Sequence, residues 1–213
     1  MRLRILAGVA LAAWLLFYRL GRTWGSTRAE RARVLPGDDV VPRPSFVTDH
    51  AITIDATPER VWPWLAQMGW HRGGWYTYRW VDVLLFPDNL PSAETIVPEW
   101  QHLAPGDRVL DGAPETGCFF TVEQVEADHA LVLFSTTHLP PRLLHRPGIE
   151  FAWTWAFVLA PHGVNRTWFH FRSRARLAPW WLRLGYRLLV VPADFVMARS
   201  MCMGIKRRAE RLT

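Results

Sequence analysis

The carboxy-terminal third holds a strand pair that fixes most of what this chain can become. In IEFAWTWAFVLAP (149–161), Phe151, Trp153, Trp155, Phe157 and Leu159 fall on one face of an extended chain, and Ala152, Thr154 and Ala156 on the other. A Pro-His-Gly break follows. In VNRTWFHFRSRARL (164–177), Phe169 and Phe171 then point one way, and His170, Arg172, Arg174 and Arg176 the other. Such a hairpin predicts an antiparallel sheet with one ring-rich face and one polar face. The ring-rich face has to be covered.

The cover is legible at the end of the chain. In ADFVMARSMCMGIKRRAERL (193–212), Phe195, Ala198, Cys202, Ile205 and Ala209 make a narrow apolar stripe at helical spacing, flanked by Met201 and Leu212. Lys206, Arg207, Arg208 and Arg211 lie near its end, where cations suit the helix dipole. Before it, PWWLRLGYRLLVV (179–191) predicts a separate helix that starts at Pro179 and stops ahead of Pro192.

The remaining elements fit the same layout. DHAITIDA (49–56) alternates as a first strand. TPERVWPWLAQMGW (57–70) predicts a helix with Thr57 as N-cap, Pro58 in the first turn and Val61, Leu65 and Met68 on one face. Gly69 is placed to end it. WYTY (75–78) predicts a short strand and RWVDVLLF (79–86) a short helix. Residues 87–107 contain four prolines and are mostly loop, either a lid or a strap over the sheet. Two more strands are expected in 116–127 and 129–136. The sum is an α+β domain, a curved antiparallel sheet wrapped around a long carboxy-terminal helix. Many large rings on a curved sheet favour a cavity.

The amino-terminal segment is different in kind. Residues 5–18 are uncharged and apolar between Arg4 and Arg19. Fourteen residues are short for a membrane span, but residues 3–20 make eighteen if the arginines snorkel to the interfaces. A secretory signal is the rival reading, but no small-x-small cleavage site follows closely. An uncleaved anchor over 1–24 is expected, then a linker over 25–45, with Val34–Phe46 extended and unpacked, and a domain over 46–213. Two arginines precede the apolar run and five lie in residues 19–33, which places the domain in the cytoplasm and the protein in the cell membrane as a single-pass chain.

Charge follows the same division. The chain carries a formal charge of +6, but residues 1–33 hold seven arginines against one glutamate. The remainder balances 18 basic with 18 acidic residues. The globular part offers no field to a polyanion, so no nucleic-acid partner is expected. The two cysteines, Cys118 and Cys202, are far apart and show no CxxC spacing. The eight histidines are scattered, and no GxSxG, P-loop or GxGxxG is present. No metal, cofactor or catalytic residue is assigned. Tyr76, Tyr78, His71 and Glu150 are the candidates for an acid or base, and each is read as structural.

GWHRGGWYTYRW (69–80) concentrates five large aromatics, three glycines and two arginines. It predicts either a bend at the mouth of an apolar pocket or a loop wedged into the core. The segments ITIDATPERVWPWLAQMGWHRGGWYTYRWVD, SAETIVPEWQHLAPGDRV, WAFVLAP and PADFVMARSMCMGIKRRAE together resemble the START-like superfamily, also called SRPBCC or Bet v 1-like, over roughly residues 45–211. They look like a bacterial, membrane-associated branch of it. The resemblance implies the helix-grip fold. It also implies one of several functions found there: lipid and sterol carriage, hormone or polyketide binding, or aromatase/cyclase chemistry. Arg79 and Asp194 depart from the acidic residue and the histidine expected at those places in this branch.

In that fold the segment after the first helix runs along the cavity rim. Trp75, Tyr76 and Tyr78 are therefore expected at the rim, with Arg72 or Arg79 as a polar partner or simply solvated. Trp153, Trp155, Phe157, Phe169 and Phe171 are expected on the inner sheet face, and Phe195 on the helix opposite. The leading expectation is a non-catalytic, membrane-tethered module that binds or transfers a hydrophobic small molecule or lipid. A polyketide cyclase or aromatase, and a structural domain with a closed cavity, are the alternatives.

Overall fold

A computed structural model describes residues 2–85 and 90–211. Phe86, the loop start at 87–89 and Leu212 lie outside the described residues. Six strands form one antiparallel sheet. They are β1 (Phe46–Ile54), β2 (Arg108–Leu110), β3 (Phe119–Glu126), β4 (Ala130–Ser135), β5 (Glu150–Pro161) and β6 (Thr167–Ala178). Their order across the sheet is β1-β6-β5-β4-β3-β2, so the first strand pairs with the last. The helices are α1 (Arg2–Thr23), α2 (Arg28–Arg31), α3 (Pro58–Ala66), α4 (Arg79–Leu85), α5 (Pro141–Leu144), α6 (Trp180–Gly185) and α7 (Val191–Arg211). A sheet of this order folded around a long final helix is a helix-grip fold of the α+β class.

The period-two pattern of the hairpin is realised. Trp155, Phe157 and Leu159 of β5 and Phe169 and Phe171 of β6 are buried on the inner face, under Ala198, Met201, Cys202, Ile205 and Ala209 of α7. Phe157 stacks on Phe171 at 4.9 Å, and Trp155 meets Trp75 edge-on at 5.3 Å. The second helix covering this face, α3, contributes Val61, Trp64 and Leu65.

The outer face of β1 and β6 is also covered, which differs from the expectation of an unpacked linker. Residues 25–45 fold back across it, and Leu35 and Val41 are buried. The reason is charge and hydrogen bonding, which an apolar count does not register. Arg172 donates from Nε to Asp49 at 2.7 Å and from Nη1 to Asp38 at 2.8 Å, and it binds the carbonyls of Arg31 and Arg33. Arg174 donates to Asp38 and to the Val41 carbonyl. Trp168 donates its indole N–H to Glu30, which also closes a capping box with Thr27. Burial pushes the Asp49 carboxyl up. The hydrogen bonds and charges of His170 and Arg172 outweigh that and hold it below the usual carboxylate range.

Three further elements depart from expectation. WYTY is not a strand: Tyr76 has a φ of 58° and cannot continue an extended run. β2 is only three residues long and carried no periodic signal. Pro192 does not separate two helices. Instead α6, a π-helical turn (Tyr186–Val190) and α7 run as one helix of 32 residues, Trp180–Arg211. The π turn precedes Pro192 and accommodates the missing backbone donor. This helix and α1 are each long and apolar enough to cross a membrane.

The amino-terminal helix is docked and does not stand free. Phe17 of α1 meets Phe195 of α7 edge-on at 5.8 Å, and Trp24 meets the same ring at 6.4 Å. Tyr18 accepts a hydrogen bond from Arg187 Nε at 3.1 Å. At Gly21 the two backbones come so close that a Cβ would collide with the Val191 carbonyl.

Candidate functional site

The glycine-aromatic segment resolves as a wedge into the core. Gly69 and Gly74 pair as an isolated bridge with φ values of 126° and 73°, which closes a tight loop. At Gly73 a side chain would strike the Tyr76 hydroxyl 2.6 Å away. That hydroxyl donates to the Trp64 carbonyl at 2.9 Å, and burial raises its pKa well above the usual phenol value. The Tyr76 backbone lies on Gly204 of α7, where a Cβ would collide with the Tyr76 carbonyl. Trp75 and Tyr76 are therefore interior residues and not rim residues. Tyr78 is half-buried and accepts a hydrogen bond from Arg199. Arg72 binds the carbonyls of Ala66 and Trp100, so it fastens the loop.

The proline-rich segment that follows is strapped down. Gln67 of the α3 C-cap binds the Thr95 carbonyl and the Val97 N–H, and Arg208 of α7 binds the Ala93 carbonyl. These bonds favour the strap reading over the lid.

An apolar cavity lies at the end of the sheet, beneath the start of the long helix. Its volume is about 290 Å³. Phe151, Trp153 and Leu177 form one side and His138 and Leu139 another; Trp181, Leu182, Gly185, Tyr186, Leu189 and Val190 of the helix form the third. Ligand pockets are typically about 300–1,000 Å³ and mostly apolar, so this one is at the small end. Of the nine residues expected at a ligand site, Trp153 alone lines it. Trp155, Phe157, Phe169 and Phe171 form the packed core behind. Phe195 faces α1. The indole N–H groups of Trp75 and Trp155 are buried without a hydrogen-bond partner.

His138 brings an imidazole to this cavity. His138 Nε2 lies 2.8 Å from Asp111 Oδ2, and its Nδ1 lies 2.6 Å from Ser135 Oγ. A carboxylate only accepts, so Nε2 carries a proton, and a neutral ring then accepts from the serine at Nδ1. Phe120 and Trp153 flank the imidazole at 4.5 and 5.2 Å. The second Asp111 oxygen is buried without a partner. The order serine, histidine, aspartate is that of a proton relay, set against an apolar wall. Ser135 also accepts from the Thr137 N–H, and Thr137 binds the Phe119 carbonyl, which ties the relay to the ends of β3 and β4. Sequence reading set His138 aside among scattered histidines. The Ser-x-x-His spacing after a strand was the available signal, and Asp111 had none. Among the described residues, no group of three or more His, Cys, Asp or Glu side chains could hold a metal ion.

No family model matches the chain, and no curated protein matches it significantly. Among solved structures, it is similar to truncated norcoclaurine synthase from Thalictrum flavum, at 14% identity over 76% of this chain and 91% of that one, with a TM-score of 0.44. A structural-genomics protein from Mesorhizobium loti aligns at 14% identity over 78% of this chain and 98% of its own, with a TM-score of 0.43. A hypothetical protein from Helicobacter pylori aligns at 11% identity over 83% and 95%, with a TM-score of 0.45. The class assigned to this chain, a helix-grip domain, rests on its own strand order and final helix.

Proposed function

We propose that this protein is a membrane-tethered module that binds or transfers a small apolar molecule or lipid. The observation that carries this reading is the position of the cavity. It opens between the end of the sheet and a helix whose other faces, at Trp180, Leu184 and Leu188, are apolar and exposed. That helix packs on α1, whose Leu6, Val9 and Leu15 are also exposed. Large contiguous apolar surface marks a membrane or partner contact. A cavity bordered by it is placed to exchange a ligand with lipid. The arginine bias after α1 supports a cytoplasmic domain. The test is photolabelling of the full chain in its native membrane with a diazirine-bearing fatty alcohol. Labelled peptides within 150–155 and 181–190 support the reading, and labelling confined to α1 overturns it.

A second reading, an enzyme acting on the bound molecule, is favoured by the Ser135–His138–Asp111 relay. A relay of this kind can move a proton at the cavity wall. Treatment of the full chain with an alkyl fluorophosphonate tests it. Modification of Ser135 that is lost in His138→Gln supports the enzyme, and an unmodified Ser135 leaves the binding module.

A further inference from the structure

A second cavity, of about 440 Å³, sits at the foot of α1 on the outer face of the sheet. It is bounded by five arginines, Arg22, Arg31, Arg33, Arg172 and Arg174, against two aspartates, Asp38 and Asp49. Two of the five are committed. Arg172 and Arg174 give their donors to Asp49, Asp38 and backbone carbonyls, and their charges offset the two carboxylates. The other three have no acidic partner in the cavity. Among the described residues, the Arg31 guanidinium binds the carbonyl and hydroxyl of Ser26. Arg33 lies over the Trp168 ring at 5.4 Å, a contact with the ring face that uses no carboxylate. Arg22 stands in the last turn of α1. Glu30, the acidic residue closest in sequence, is engaged by Trp168 and the Thr27 N–H and does not line the cavity.

We infer that this cavity binds a phosphate-bearing anion through Arg22, Arg31 and Arg33, and that the anion is the headgroup of an acidic phospholipid. Guanidinium groups suit phosphate because their planar donors match its oxygens in pairs. Three of them line this cavity beside a floor that Arg172 has already fixed. The lipid source follows from the location. Arg22 lies three residues beyond Arg19, where the apolar run ends. If α1 spans the bilayer, that level is the headgroup layer, where anionic lipids attract basic side chains. The assignment of source rests on the membrane reading above, whereas the anion site does not.

The experiment uses the full chain in dodecyl maltoside micelles. Thermal unfolding is followed as dioleoyl-phosphatidylglycerol, dioleoyl-phosphatidylcholine or inorganic phosphate is added. A ligand that binds only the folded state raises the midpoint with its concentration. Phosphatidylglycerol is expected to raise it, and phosphatidylcholine is not. Arg22→Gln/Arg33→Gln, two exposed positions, should unfold slightly below the wild-type temperature without lipid, as the Arg33–Trp168 contact is lost, and should lose most of the rise. Arg142→Gln/Arg146→Gln, exposed and remote from the cavity, makes the same charge change and should keep it. An equal loss in both double variants overturns the site, as does the absence of any rise with phosphatidylglycerol and phosphate alike. A rise with phosphate alone retains the anion site and overturns the lipid source. Cell fractionation separates the two readings: a soluble protein whose midpoint still responds through Arg22 and Arg33 overturns the tether and not the site.

Discussion

Trp14 donates its indole N–H to the carbonyl oxygen of Leu188 at 3.0 Å, joining positions 174 residues apart. Leu188 lies four residues before Pro192, the residue that has no N–H to return to it in an α-helical ladder. The bond therefore reaches the turn that Pro192 interrupts, and it ties the amino-terminal helix to the helix that closes the domain. With Gly21 packed on Val191 and Phe17 on Phe195, α1 is part of the fold's architecture. A tether on a free hinge would make none of these contacts.

Removal of that bond should be measurable. Trp14→Phe keeps a ring and deletes the donor, at an expected cost of about 1 kcal/mol. Gly21→Val forces the helices apart and should cost about 1–3 kcal/mol, as overpacking does. Thermal unfolding of the full chain in detergent reads both. Wild-type midpoints in both variants would mean that α1 is not docked in solution.

The closing helix makes a sharper case. Ile205 is wholly buried between α7 and the sheet. Ile205→Asp places a carboxylate in an apolar interface without a partner, at a cost of several kcal/mol, comparable to the stability of a whole domain. A soluble, cooperatively unfolding variant with an unchanged midpoint would contradict this packing.

Acid should act through the outer face. Asp49 is held below its ordinary range when folded. Its unfolded value is about 3.9, so its contribution is present in full above that pH and is lost as pH falls through the lower folded value. Asp49→Asn should remove of the order of 3 kcal/mol at neutral pH, because Arg172 loses a buried partner. The gap between variant and wild type should then close as pH falls through the lowered folded value and Asp49 protonates. Urea unfolding at stepped pH measures it, and a gap that widens in acid would show that Asp49 is not the group responsible.

The parts of this fold that were legible are those with strong periods. The alternation of rings from Phe151 to Leu159 and the stripe from Ala198 to Ala209 each specify a face, and the two faces cover each other. Phe195 belongs to the same stripe but packs on α1, because helical spacing says which residues share a side and not which neighbour fills it. The covering role of residues 25–45 was hidden for a different reason. It depends on Arg172 and Arg174, read as a polar face, finding Asp38 and backbone carbonyls far away in sequence. The cavity at the sheet end was not legible because it depends on the continuity of the helix through Pro192, which carries Trp181, Leu182 and Leu189 over that end. Trp155, Phe157, Phe169 and Phe171 pack against one another in the core.

The cavity can be filled without strain, which gives its most direct test. Gly185 lines it, has helical backbone angles of −57° and −47°, and has no atom from beyond its own helical turn within 4 Å of the place where a Cβ would stand. Gly185→Leu should therefore occupy the cavity with side chain. It should also raise stability slightly, since glycine in a helix costs about 1 kcal/mol relative to better helix formers. Photolabelling of 150–155 and 181–190 should be lost while the midpoint is kept or raised. Trp155→Ala should do the reverse. It removes a core ring, only 2% exposed, behind the cavity and should cost about 3–5 kcal/mol with labelling retained in the folded fraction. Undiminished labelling in a stable Gly185→Leu protein would place the ligand elsewhere. Labelling lost in a folded Trp155→Ala protein would return the binding site to the inner face of the sheet.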